Sequence, residues 1–112
     1  MVALGNPGDL VWPAAGLESQ AMSLNGGTLC GFYIPSGFAG TTFKVKAFQG
    51  ENDPTGSIVI DSTGADVTYT VAAGKFLRVA PSDFAGIRRF SLVAGSSQAA
   101  GTVVDVVSRE IA

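Results

Sequence analysis

Residues 41–48 read Thr41-Thr42-Phe43-Lys44-Val45-Lys46-Ala47-Phe48, and this octet decides the fold class. Phe43, Val45 and Ala47 alternate with Thr42, Lys44 and Lys46, the period of a strand and not of a helix. Such a strand turns its apolar set to a core and both lysines to water. Asp66-Val67-Thr68-Tyr69-Thr70-Val71 repeats the pattern, with Val67, Tyr69 and Val71 on one face. Outward from these two, segments of the same kind occupy residues 19–24, 28–34, 57–61, 75–80, 87–94 and 102–111. Turn formers separate them: Asn25-Gly26-Gly27, residues 49–56, Ser62-Thr63-Gly64-Ala65 and Ala72-Ala73-Gly74. Residues 81–84 read as a single helical turn. Fifteen glycines and five prolines leave no segment long enough for a helix of ordinary length. Eight short strands fill two four-stranded sheets, so the expectation is an all-β, single-domain antiparallel β-sandwich of jelly-roll type. At 112 residues there is room for one domain, and its core needs no metal or disulfide.

Residues 1–17 are expected to lie outside that sandwich as an extended arm, with the domain running from 18 to 112. Gly5, Pro7, Gly8, Pro13 and Gly16 oppose both helix and central strand. Inside the arm stands the apolar cluster Leu10-Val11-Trp12-Pro13. A tryptophan with nothing local to pack on is exposed, laid across its own domain, or docked on a neighbour. The last strand carries Val103-Val104-Asp105-Val106-Val107, valine on both faces, and only one face can belong to the core. Leu10, Val11, Trp12, Val103 and Val107 are therefore the candidate partner interface. Packing within the protomer and contact between subunits both remain open at this stage. Removal of residues 1–17 is expected to leave the domain folded.

Composition excludes most chemistry. The sequence has no histidine, which removes histidine-based triads and histidine-ligated zinc. Cys30 is the single cysteine, so there is no intrachain disulfide, and its apolar neighbours point to a buried structural thiol. No glycine-rich loop has the spacing and following helix of a phosphate cradle. The acidic loops around Glu51-Asn52-Asp53 and Asp61–Asp66 invite calcium or a carboxylate pair for glycoside hydrolysis. They lack the dense spacing of a dedicated cation loop, and they read as solvated turns. Tyr33 and Tyr69 are expected to pack within the sandwich. Arg88 and Arg89 point to opposite faces, and Lys44 and Lys46 are read as edge protection. A net charge of −2 gives no drive toward nucleic acid or anionic membranes, and no apolar run approaches the length of a membrane helix. The expectation is thus no catalytic residues, no cofactor and no metal: a protein that is not an enzyme. No basic residue precedes Lys44, so the start of the sequence lacks a secretory signal and synthesis in a cytoplasm is expected.

One internal echo bears on the fold. Pro35-Ser36-Gly37-Phe38-Ala39-Gly40 resembles Pro81-Ser82-Asp83-Phe84-Ala85-Gly86, and each precedes a strand bearing an aromatic, Phe43 or Phe90. The two copies read as equivalent corners of a sandwich, each phenylalanine plugging the core before the chain re-enters a sheet.

Over residues 32–111 the chain resembles a family of small structural proteins of tailed phages and prophages, those associated with head decoration. The likeness runs through Ile34-Pro35-Ser36-Gly37-Phe38-Ala39-Gly40-Thr41 and Phe43-Lys44-Val45. It continues through the turns at Asp61-Ser62-Thr63-Gly64-Ala65 and Val71-Ala72-Ala73-Gly74-Lys75. It closes with Ala80-Pro81-Ser82-Asp83-Phe84-Ala85-Gly86 leading into Arg88-Arg89-Phe90-Ser91-Leu92. The resemblance implies a capsid decoration (cement) protein, located in the virion head after synthesis in the host cytoplasm. Its implied partners are the phage major capsid protein and further copies of itself, a trimer being favoured. A tail, neck or baseplate component and a carbohydrate-binding attachment module are the competing expectations.

Overall fold

The computed structural model describes residues 2–5, 9–24, 28–50 and 52–111. Its strands in chain order are β1 (Val2–Gly5), β2 (Asp9–Val11), β3 (Gly16–Glu18), β4 (Met22–Ser23), β5 (Thr28–Tyr33) and β6 (Thr42–Phe48). There follow β7 (Ser57–Ile58), β8 (Thr68–Thr70), β9 (Phe76–Arg78), β10 (Arg89–Gln98) and β11 (Val103–Ile111). A single 3₁₀ turn, Pro81–Phe84, stands where the sequence places a helical turn. The Asn25-Gly26-Gly27 turn and Glu51 lie outside the described residues.

The first sheet runs β1/β2–β11–β5–β9, because β1 and β2 pair with successive stretches of the same edge of β11. The second runs β3/β4–β10–β6–β7/β8, with β3 and β4 sharing one flank of β10 and β7 and β8 one flank of β6. Every ladder is antiparallel, and the chain crosses between sheets at β2→β3, β4→β5, β5→β6, β8→β9, β9→β10 and β10→β11. This is the doubled Greek key of a jelly roll, and it puts all eight expected strands in two four-position sheets. Between β7 and β8 the chain leaves the sheet as a hairpin, closed by the Ile60–Asp66 bridge and the turn at residues 61–65.

Alternation explains the core. On β6 Phe43 and Val45 are buried, on β10 Phe90, Leu92 and Ala94, and on β11 Val104 and Val106. On β5 the two inward residues are Leu29 and Phe32, three apart, which strict alternation forbids. The β11 ladder supplies the reason: Val107 pairs with Gly31 and Ser108 with Leu29, so Cys30 is the extra residue of a bulge that switches the strand's parity. Phe32 sits at the centre, edge-on to Phe43, Phe84 and Phe90 at 5.4, 6.1 and 6.3 Å between ring centroids.

The two echoed corners share a closing glycine and a buried phenylalanine, although only the second winds into a 3₁₀ turn. Gly40 and Gly86 close them in the left-handed region, at φ 81° and 83°, where a β-carbon is strained. Phe38 and Phe84, two residues before these glycines, are both buried. The first corner is also clamped by Gln98, a fully buried amide. Its Oε1 accepts from the Ala39 N–H (2.9 Å), while its Nε2 donates to the Ala39 carbonyl (2.7 Å) and the Ser96 carbonyl (3.1 Å).

The expected arm is part of the sandwich. β1 and β2 complete the first sheet, β3 begins the second, and a boundary between residues 17 and 18 falls inside β3. Glycine and proline do oppose long strands here, but they do so by breaking one edge into short pieces, each of which still finds a partner.

Candidate functional site

Trp12 is fully buried in its own protomer. Its indole N–H donates to the Leu17 carbonyl at 3.0 Å, and its ring meets Phe38 edge-on at 6.0 Å. Its backbone is stitched to the loop before β11, Trp12 N–H to the Thr102 carbonyl and Gly101 N–H to the Trp12 carbonyl. Leu10 is buried as completely. These two leave the candidate interface: β2 alternates, and its register against β11 turns Leu10 with Val104 inward. With Trp12 inside, a glycan platform on the arm goes as well.

Val11, Val103 and Val107 behave differently. Val103 pairs with Val11, and both lie on the outer face of the first sheet together with Val107, half-buried. Beside them, in one cross-strand row, stand Asp9, Asp105, Tyr33 and Phe76. Tyr33 is 55% and Phe76 43% exposed, and their rings lie 4.6 Å apart. Tyr33 therefore packs outside the sandwich, contrary to expectation. The parity switch at Cys30 is the cause: with Phe32 turned inward, Tyr33 must point out. Cys30 is also half-buried and not enclosed, its thiol turned toward the Thr28 carbonyl. Gly31 completes the arrangement, since a β-carbon there would strike the Phe76 ring and the Leu77 carbonyl oxygen. The glycine lets an aromatic side chain lie across the sheet face.

Charge on this face is unbalanced locally. Asp9 and Asp105 are direct partners across the β2–β11 ladder. A hydrogen bond to Asp105, partial desolvation and the Asp105 charge all raise the Asp9 carboxyl above the ordinary carboxylate range. Arg78 and Arg109 are exposed on the same face, and neither has an ion-pair partner among the described residues.

The outer face of the second sheet is the opposite in character. Lys44 pairs with Asp66 at 2.8 Å and Lys46 with Glu18 at 2.6 Å, and the Ser91 hydroxyl donates to the other Glu18 oxygen at 3.0 Å. Arg89 stacks 4.5 Å over the centre of the Phe48 ring and donates to the Gly50 carbonyl at 3.2 Å. Lys44 and Lys46 thus lie on an interior strand and not at an edge, and their charges are met by carboxylates from β3 and from the hairpin before β8.

The acidic loops are occupied by their own backbone. Asp53 accepts from the N–H groups of Gln49, Gly56 and Thr55, and these bonds hold its carboxyl below the usual range. Asp61 accepts from the Thr63 hydroxyl and from the Thr63 and Ala65 N–H groups, with the same effect. An open depression of about 540 Å³ beneath the 59–67 hairpin is lined by Asp61, Asp66 and Asp83 among others. Each carboxylate there is engaged already: Asp61 by its turn, Asp66 by Lys44, and Asp83 by the Tyr69 hydroxyl at 3.1 Å. Burial, then the Asp83 charge, raises the Tyr69 phenol above its ordinary range.

No family model matches the chain, and neither does any curated protein or solved structure compared with it.

Proposed function

We propose that this chain is a structural protein of a tailed-phage virion, a decoration (cement) protein that adheres to the outer head shell and stabilises it by subunit contacts. One observation carries the reading: the asymmetry of the two outer sheet faces. The second sheet's face is covered by internal ion pairs and a stacked arginine. The first sheet's face keeps Val11, Val103, Val107, Tyr33 and Phe76 in reach of a partner. A face on which exposed aromatics and valines alternate with charges unpaired among the described residues reads as an interaction surface and not as a catalytic cleft. The sequence likeness to phage head-decoration proteins supplies the partner, the major capsid protein, and the setting, a particle on which many weak contacts add. Further copies of the chain are the second partner.

Co-sedimentation of the purified protein with empty shells of its phage tests the reading. Wild type should pellet with shells at hundreds of copies per particle, as repeated shell sites require. Val103→Asp and Val107→Asp should stay in the supernatant while keeping the wild-type circular dichroism spectrum. A few copies per virion would assign the chain to tail, neck or baseplate, and wild type left in the supernatant would remove the cement role.

A further inference from the structure

The outer face of the first sheet holds a charge problem and its own solution. Asp9 and Asp105 stand directly opposite one another, an arrangement that destabilises a sheet. Arg109 lies exposed on the same face, with no ion pair among the described residues. The outward positions of β11 read Val103, Asp105, Val107, Arg109, so an acid and a base flank Val107 symmetrically. At about 3.3 Å per residue their Cα atoms are about 13 Å apart, and no ion pair joins the two side chains within the protomer. A two-fold axis lying in the plane of contact and crossing β11 at Val107 brings each Asp105 onto the partner's Arg109.

We infer that this face is self-complementary and pairs with a second copy of the chain about that axis, each Arg109 neutralising the Asp9–Asp105 pair of its partner. The inference rests on the reading of this face as the adhesive surface. A contact made by one patch with itself is isologous and closes as a dimer, in place of the trimer favoured from the sequence alone. Val107 lies between the two charges, and the Tyr33–Phe76 rings extend the Asp9–Asp105 row beside it. Nine residues of β11 across four strands give a footprint of at most about 600 Å² per copy. A standard stable interface buries about 800 Å² per partner, so the pairing is weak in dilute solution and fills when copies are concentrated on a surface. Arg78 shares a cross-strand row with Gly31 and Val107, so it lies along the axis and meets its own copy.

Sedimentation equilibrium of the full chain, from about ten micromolar to about one millimolar, tests this in the range such weak contacts occupy. Wild type should fit a monomer–dimer equilibrium. Arg109→Asp should weaken association at least about tenfold, the scale of one lost charge-pair contact. The exchange Asp105→Arg with Arg109→Asp should restore it. Arg78→Ala should leave association equal or tighter, because it removes a like-charge contact. Monomer at every concentration overturns the inference, as does a dimer indifferent to Arg109→Asp. A monomer that still binds shells through Val107 assigns the face to the capsid protein, overturning the pairing while the cement role stands. A dimer that binds no shells keeps the pairing and removes the cement role.

Discussion

Asp9 and Asp105 face each other across the β2–β11 ladder, carboxyl to carboxyl, with Leu10 and Val104 next to them buried in the core. The strand that carries the core anchor Leu10 is thus fastened at a point where two like charges meet.

The sign of the resulting pH dependence follows from linkage. The Asp9 carboxyl is raised in the fold, so its contribution to stability is complete below the ordinary carboxylate range and is lost as pH rises through the folded value. Asp9→Asn should therefore stabilise the protein at neutral pH by a few tenths of a kcal/mol, the size of one exposed like-charge pair, and leave it unchanged near pH 3. Urea melts of both proteins at the two pH values measure the difference. Asp53 and Asp61 act in the opposite sense. Their carboxyls are lowered, so the stability they give is present at neutral pH and lost as pH falls through the folded values.

Trp12 fills the core as a large side chain with a satisfied N–H. Trp12→Ala should cost about 3–5 kcal/mol. Removal of residues 1–17 should abolish cooperative unfolding, since it strips β1, β2, Leu10 and Trp12 together. Circular dichroism melts check both variants, and in the wild type the sole tryptophan should show blue-shifted emission resistant to iodide quenching.

Gln98 makes three hydrogen bonds from full burial, two of them to the backbone of Ala39. Gln98→Leu keeps much of the volume and strands the Ala39 N–H and carbonyl. Chemical denaturation should show a loss of about 2–4 kcal/mol, more than the ordinary cost of one lost bond.

Ser108 turns its hydroxyl into the core beside the Cys30 bulge, where it finds no partner among the described residues. Ser108→Ala should stabilise the fold by about 1 kcal/mol, the desolvation cost of an unbonded hydroxyl. Thermal unfolding followed at 222 nm reads the gain as a higher midpoint.

The strands were legible because the alternation of β6, β8 and β10 is written in neighbouring residues and needs no knowledge of what lies opposite. The corners at Phe38 and Phe84 were legible for the same reason. The N-terminal strands were not. Pairing of Val11 with Val103 joins residues from the two ends of the sequence, and glycine and proline signals report only local conformation. Tyr33 was misplaced for a related cause: the Cys30 bulge is visible only in the register against β11. Of the candidate surface, Val103 and Val107 were found from valine on both faces of one strand, and Val11 from the apolar cluster at residues 10–13. Asp9, Phe76 and Arg109 were missed, because only the cross-strand rows bring them beside those valines.

The closure of the first sheet by β2 has a consequence for synthesis. A ribosome delivers Leu10 and Trp12 well before their strand partner, β11. Until β11 emerges, those two side chains have no permanent burial site, and that part of the nascent polypeptide waits, exposed. Closure of the domain is then slow, as pairings distant in sequence demand.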